Sequence, residues 1–270
     1  MNIAFIGGGN MANALLGGLI AQGVKAGALS VVEPSAAARR KLVSRYRVHA
    51  SAAADARTAA ADTLLIAVKP QDMRTALAPL AGRLGKQLVI SIAAGIRLRD
   101  MSRWLGGHAK LIRCMPNTPA LIGAGITGLY APPGVSAAER RRAGRILGAT
   151  GAVVWVPDEA LLDPVTAVSA SGPAYVFWFI EQLGAAGVAL GLAPEVAAKL
   201  ALQTVLGAAQ LAAGSKEPPA VLRERVTSKG GTTAAALGVF EQERLAERLR
   251  RAIEAASRRG AELGELLGRD

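Results

Sequence analysis

The chain has 270 residues, 51% of them hydrophobic and 19% charged, enough apolar material for one large domain or two ordinary ones and too much for a disordered chain. A single cysteine, Cys114, and two histidines, His49 and His108, exclude an internal disulfide framework and a metal centre built from several Cys or His, so no metal is expected. The net charge of +12 points to an anionic partner, yet aromatic residues make up only 4% and the densest basic run is Arg140-Arg141-Arg142, which argues against nucleic acid.

The N-terminal stretch lacks the basic segment and long apolar run of a secretory signal, and a cytoplasmic location is expected. Asn2–Ile6 is an apolar run that predicts a buried strand. Gly7-Gly8-Gly9-Asn10-Met11-Ala12 follows it at the head of a helical segment reaching about Gln22. The pattern is G-x-G-x-x-A between a strand and a helix. Gly7 permits a tight turn, Gly9 lets the backbone approach a pyrophosphate, and Ala12 lets the helix pack closely on the strand. The helix start offers N–H groups to phosphates.

Leu29–Glu33 predicts the next strand. It ends on Glu33, where an acid holds the hydroxyls of an adenosine ribose and favours NAD(H). Ser35, Arg39 and Arg40 follow in the helical stretch Ser35–Arg45 and are alternative partners for a 2′-phosphate. Thr63–Val68 predicts a strand closed by Ala67-Val68-Lys69-Pro70, with Lys69 either meeting a phosphate or ribose or lying in solvent. A helical segment Gln71–Arg83 precedes a strand at Gln87–Ile92, whose ending Ile92-Ala93-Ala94-Gly95 is small enough for a flat ring to come close. Lys110–Cys114 predicts a strand, and two prolines stiffen the loop Met115-Pro116-Asn117-Thr118-Pro119-Ala120 after it. A helix at Ser136–Ala149 and a strand at Ala152–Val156 complete this half. Strands alternating with helices mean βαβ units, a parallel sheet covered on both faces, and binding at the carboxyl ends of the strands.

From about Leu161 the strand signals stop. Breaks at Gly191-Leu192-Ala193-Pro194, Pro218-Pro219 and Gly230-Gly231 divide the rest into four or five helices. Ala174–Leu190 and Leu200–Ala213 are apolar nearly all round, so they are expected to be buried against a second copy of the chain. Lys199 to Lys216 encloses 16 uncharged residues, short of a comfortable bilayer span, and no membrane is expected. The domain boundary is expected near Val156–Asp158, giving domains 1–157 and 158–270. Ser169-Ala170-Ser171-Gly172-Pro173 reads as a helix start. Val226–Thr233 is polar and glycine-rich and leads into Ala234–Glu241, a helix start suited to a carboxylate. His49 and His108 lie outside every motif and are expected in solvent.

Through Phe5–Ala12, Ala67–Pro70, Ser91–Gly95, Arg113–Ala120, Ser169–Phe177 and Val226–Thr233, in this order, the chain resembles the pyrroline-5-carboxylate reductase family over essentially its full length. The resemblance implies an α/β plus all-α fold, with an N-terminal Rossmann dinucleotide-binding domain and a C-terminal helical dimerisation domain. It implies a homodimer with interwoven helical domains, at times assembled into a decamer, and an active site using both domains and the dimer partner. The cofactor would be NADPH or NADH, and the substrate the small imine 1-pyrroline-5-carboxylate.

By its matching positions, Ile6, Gly7, Gly8, Gly9, Asn10, Met11, Ala67, Val68, Lys69, Pro70, Ile92, Ala93 and Ala94 line the nucleotide, with Glu33, Ser35 and Asn117 completing the cofactor set. Ser228, Gly230, Gly231, Thr232 and Thr233 receive the substrate carboxylate. Thr233, as the catalytic residue, hydrogen-bonds the ring nitrogen, and Glu159 matches an acid near the substrate. The chain departs from the family pattern at Ala170, at Lys229 in place of a proline, and around Ala54, where a polar residue that helps hold the 2′-phosphate is missing. With Glu33, that last change sets NADPH preference in question. A related two-domain imine or hydroxy-acid dehydrogenase is the alternative reading.

Overall fold

Strands buried on both faces are apolar along most of their length, and Ile3–Ile6 and Leu88–Ser91 are buried throughout. In the computed structural model, which describes residues 1–269, they are two strands of one sheet. Its strands are β1 (Ile3–Ile6), β2 (Leu29–Val32), β3 (His49–Ser51), β4 (Thr63–Ile66), β5 (Leu88–Ser91), β6 (Leu111–Met115), β7 (Gly125–Tyr130) and β8 (Gly151–Trp155). The order is β3-β2-β1-β4-β5-β6-β7-β8, and every neighbouring pair is parallel except β6 with β7.

Helices cover both faces. α1 (Asn10–Ala21) and α2 (Ala36–Tyr46) bury Leu15, Leu16, Leu19 and Leu42 with Phe5 on one face. After the short α3 (Ala56–Ala59), α4 (Met73–Leu77) and α5 (Leu98–Trp104) bury Met73, Leu77 and Met101 on the other. α6 (Ala137–Leu147) returns to the first face with Ile146 and Leu147. The helix expected over Gln71–Arg83 is broken. α4 is flanked by 3-10 turns at Pro70–Asp72 and Ala78–Leu80, because Pro79 has no N–H to continue the ladder.

Packing divides the chain into two compact units, Met1–Ser171 together with 256–269, and Gly172–Ala255. This departs from a boundary at 157/158. Residues 158–171, including α7 (Leu162–Val165) and the π-helical turn Thr166–Ala170, pack with the first unit, as does the end of the last helix. Two close approaches explain it. A Cβ at Gly128 on β7 would lie 2.6 Å from Val165, and one at Gly264 would lie 2.8 Å from the carbonyl of Gly95.

The second unit holds α8 (Gly172–Ala189), α9 (Pro194–Gly214), α10 (Pro219–Arg225), α11 (Thr232–Gln242) and the first part of α12 (Leu245–Leu267). α8 and α9 meet through small residues: a Cβ at Gly187 would sit 3.1 Å from that of Ala197. Ala197 and Ala201 are buried there, whereas Phe177, Trp178 and Leu211 are 65%, 58% and 64% exposed. By length and composition α9, with 21 residues, is apolar enough to cross a bilayer, a longer stretch than the lysine-bounded window.

Candidate functional site

β1 has β2 on one side and β4 on the other, so the chain reverses direction across the sheet at the carboxyl end of β1. Open α/β sheets bind ligands at such a switch point. Gly7 leaves β1 with φ +99°, and its N–H donates to the Val32 carbonyl at 2.8 Å. A Cβ there would lie 2.6 Å from the Ala67 carbonyl oxygen, so only glycine passes beneath the end of β4. Gly8 is similarly confined: a Cβ would lie 2.7 Å from Leu42. Gly9 faces open space and is the N-cap of α1, with no side-chain cap and no acid in the first turn. The Asn13 amide donates to the Gly8 and Gly9 carbonyls, both at 2.9 Å, which holds the turn in place. Ala12 is fully buried. The helix start is therefore left free for an anion.

A cavity of about 610 Å³ opens over this edge. Of the residues expected at the nucleotide, Ile6, Gly7, Gly8, Gly9, Glu33, Ala67, Val68 and Lys69 line it. Glu33 is held from two sides: Oε2 accepts the Gly8 N–H at 3.0 Å and Oε1 accepts the Ser35 N–H at 2.8 Å. The pocket and its backbone donors fit a dinucleotide.

The other expected residues fall elsewhere. Ser35 Oγ accepts the Ala38 N–H as the N-cap of α2. Asn117 Oδ1 accepts the Ile126 N–H at 2.9 Å, tying the stiff proline loop to β7. Asn10 lines an adjoining groove with Arg40, Lys41 and Arg45. Met11 packs against the core, and Pro70 starts a 3-10 turn. Ile92, Ala93 and Ala94 follow β5 at the same sheet edge, outside the cavity lining. The cavity also uses Ala52 and Ala53 beside Ala54, and Thr75 on α4. Ala52 and Ala53 carried no motif, because the short β3 that positions them has no apolar pattern.

Glu159 lies in an ionic cluster of the first unit. Arg113 on β6 is only 3% exposed. It reaches Glu159 Oε1 at 3.2 Å and Asp163 at 3.6 Å, while Arg97 meets Asp163 at 2.7 Å. Glu159 Oε1 also accepts the Leu98 N–H at 2.8 Å. Burial pulls the Arg113 guanidinium below its ordinary pKa, and the charges of Glu159 and Asp163 work against that. Glu159 thus fastens the start of α5 to β6.

The polar loop after α10 lies in the second unit. Gly230 has φ +71°, and the Gly231 N–H donates to the Ser228 carbonyl at 3.0 Å. A Cβ on Gly231 would lie 2.5 Å from Ser228 Oγ, so the tight loop requires glycine there. Gly231 is the N-cap of α11, without a side-chain cap and without an acid in the first turn, which begins Thr232-Thr233. This start presents backbone N–H groups and three hydroxyls, those of Ser228, Thr232 and Thr233, an arrangement suited to a carboxylate. Lys229 is exposed.

The histidines depart from expectation. His108 is buried, with Nε2 2.9 Å from the Gln87 carbonyl. His49 sits half-buried on β3, with Nε2 2.6 Å from Asp55. Neither lines the cavity.

A family model described as pyrroline-5-carboxylate reductase dimerisation matches residues 159–263, and one described as NADP oxidoreductase, coenzyme F420-dependent, matches residues 2–95. The pyrroline-5-carboxylate reductase of Pseudomonas aeruginosa is 47% identical over 267 residues, covering 98% of each chain. The solved structure of a pyrroline-5-carboxylate reductase from Coxiella burnetii is similar with a TM-score of 0.93 at 39% identity, over 97% of this chain and 98% of that one. The structure of Plasmodium falciparum pyrroline carboxylate reductase with NADP bound gives a TM-score of 0.84 at 29% identity, over 98% of both chains.

Proposed function

The chain belongs to the pyrroline-5-carboxylate reductase family, and on that premise we propose that it reduces the C=N bond of 1-pyrroline-5-carboxylate with NAD(P)H to give L-proline, the last step of proline biosynthesis. The observation that carries this reading is the Gly7 turn, where a side chain would strike the end of β4 and an uncapped helix start faces a cavity of about 610 Å³. NAD(P)H, when bound, supplies the hydride. The rest of the work belongs to the chain.

Gly7–Gly9 and the start of α1 hold the pyrophosphate, and Glu33 holds the adenosine ribose. Ser228, Gly230, Gly231 and Thr232 hold the substrate carboxylate at the start of α11. Carboxylate anchoring matters because a fixed imine carbon converts a bimolecular encounter into an aligned one. Reduction adds hydride to carbon and leaves nitrogen needing a proton. Thr233, directly or through a water that it orients, serves that nitrogen. Glu159 stands on the substrate side of the site by its match to a family acid, with Oε1 anchored by Leu98 and Arg113.

The exposed Phe177, Trp178 and Leu211 support a homodimer built on the helical unit, which a decamer would repeat five times. The chain's one cysteine, Cys114, is buried and free, which accords with a cytoplasmic enzyme. Coenzyme oxidation that depends on the imine, with proline as product, tests the reading.

A further inference from the structure

We propose that Glu33 makes this chain select NADH over NADPH. The inference rests on reading the cavity at the β1 turn as the NAD(P)H site, and it concerns which of the two coenzymes the adenosine end accepts.

Glu33 closes β2 and lines the cavity. Its carboxylate cannot swing aside without breaking two backbone hydrogen bonds, from Gly8 at 3.0 Å and from Ser35 at 2.8 Å. Each oxygen keeps a second acceptor site, and a ribose diol offers two donors. A 2′-phosphate offers only acceptors and negative charge to the same oxygens.

Beside Glu33 the side-chain donor left is the Ser35 hydroxyl, which carries no charge and already accepts the Ala38 N–H. The wall after β3 is Ala52, Ala53 and Ala54, whose methyl side chains offer no donor and no charge. Arg39 is already committed, with Nη1 donating to the carbonyls of Glu33 and Pro34, each at 2.7 Å. Arg40 lines the neighbouring groove with Lys41 and Arg45, which shares Gly8 with the cavity, and is not among the cavity's own lining residues. The cation that does line the cavity, Lys69, follows β4, across β1 from the strand that carries Glu33, and Asp72 lines the same cavity. The adenosine end is thus built to accept hydroxyls and to reject a phosphate by like charge, a specificity set by repulsion as much as by attraction.

The test compares NADH and NADPH on the full-length protein in two ways: dissociation constants from the quenching of intrinsic tryptophan fluorescence, and kcat/KM with saturating imine. The wild type is expected to bind NADH about tenfold or more tightly than NADPH, with the same order in kcat/KM, and Glu33→Gln to shrink the gap chiefly by improving NADPH. Glu33→Asp, which keeps the charge, is expected to retain the preference. The wild-type ratio decides the matter even if Glu33→Gln does not fold. Equal or tighter NADPH binding by the wild type overturns the proposal, as does a Glu33→Gln variant that folds and leaves the ratio unchanged. Preferential NADH binding without imine reduction leaves the assignment of Glu33 standing and removes the reductase reading instead.

Discussion

In the proposed reaction, Thr233 and Glu33 illustrate how little side-chain chemistry a hydride transfer to an imine demands. In the proposed selection of NADH, Glu33 acts by the charge it holds in place. Thr233 offers a hydroxyl in the first turn of a helix whose N–H groups have no side-chain cap. Thr233→Ala is expected to lower kcat/KM by about 10–1,000-fold, mostly in kcat, because the lost hydrogen bond forms to a nitrogen gaining a proton. Stopped-flow or initial-rate assays with both coenzymes would measure it, and an unchanged kcat would remove Thr233 from the chemistry. Gly7 was legible in the sequence for the reason the geometry gives: its positive φ and the Ala67 carbonyl beneath it admit no other residue. The role of Arg113 was not legible, because an arginine inside a strand carries no signal of the acids that fold against it.

Among the elements, the short buried strands β1, β4 and β5 were readable because a strand buried on two faces leaves a mostly apolar run. β3, β7 and α5 were not. β3 is His-Ala-Ser, three residues without a pattern. β7 contains Gly125 and Gly128, which weaken strand propensity yet allow Ala120 and Val165 to come close. α5 is only seven residues long, and its start is secured by Glu159 from elsewhere in the chain. Arg113→Ala would strand Glu159 and Asp163 in partly buried surroundings, and a loss of about 3–5 kcal/mol in unfolding free energy is expected from chemical denaturation.

The start of α6 supplies a pH prediction. Burial disfavours the charged form of Glu139, but hydrogen bonds from Lys110 at 2.6 Å and from Ser136 outweigh it and lower its pKa to about 2. A carboxyl with a lowered folded-state pKa stabilises the fold above its ordinary value of 4.5 and loses that contribution as the pH falls toward 2. Glu139→Gln is therefore expected to lower Tm at pH 7, with the gap to wild type narrowing as the pH drops through that interval.

For the whole molecule, the basic excess and the apolar helices have separate explanations. Residues 1–157 carry 20 Lys/Arg against 6 Asp/Glu, while residues 158–270 carry 12 against 14. The positive half is the one that holds the cavity at the β1 turn, and Arg40, Lys41 and Arg45 line an adjoining groove with Asn10 at the start of α1, a basic field of the sign an anionic coenzyme would meet. The helical half exposes Phe177, Trp178 and Leu211, and an apolar surface of this kind calls for a partner. Multi-angle light scattering is expected to find a dimer or a multiple of it, and Trp178→Glu to shift the protein toward monomer; a wild type that stays monomeric at micromolar concentration would contradict the assigned interface.

The most direct measurement mixes the purified protein with 1-pyrroline-5-carboxylate and NADH or NADPH, follows coenzyme absorbance, and identifies the product. The expected result is oxidation of the coenzyme that requires the imine and yields one L-proline for each coenzyme consumed. Coenzyme that binds but is not oxidised by the imine, or oxidation without proline, would contradict the assignment of this chain as a reductase of that bond.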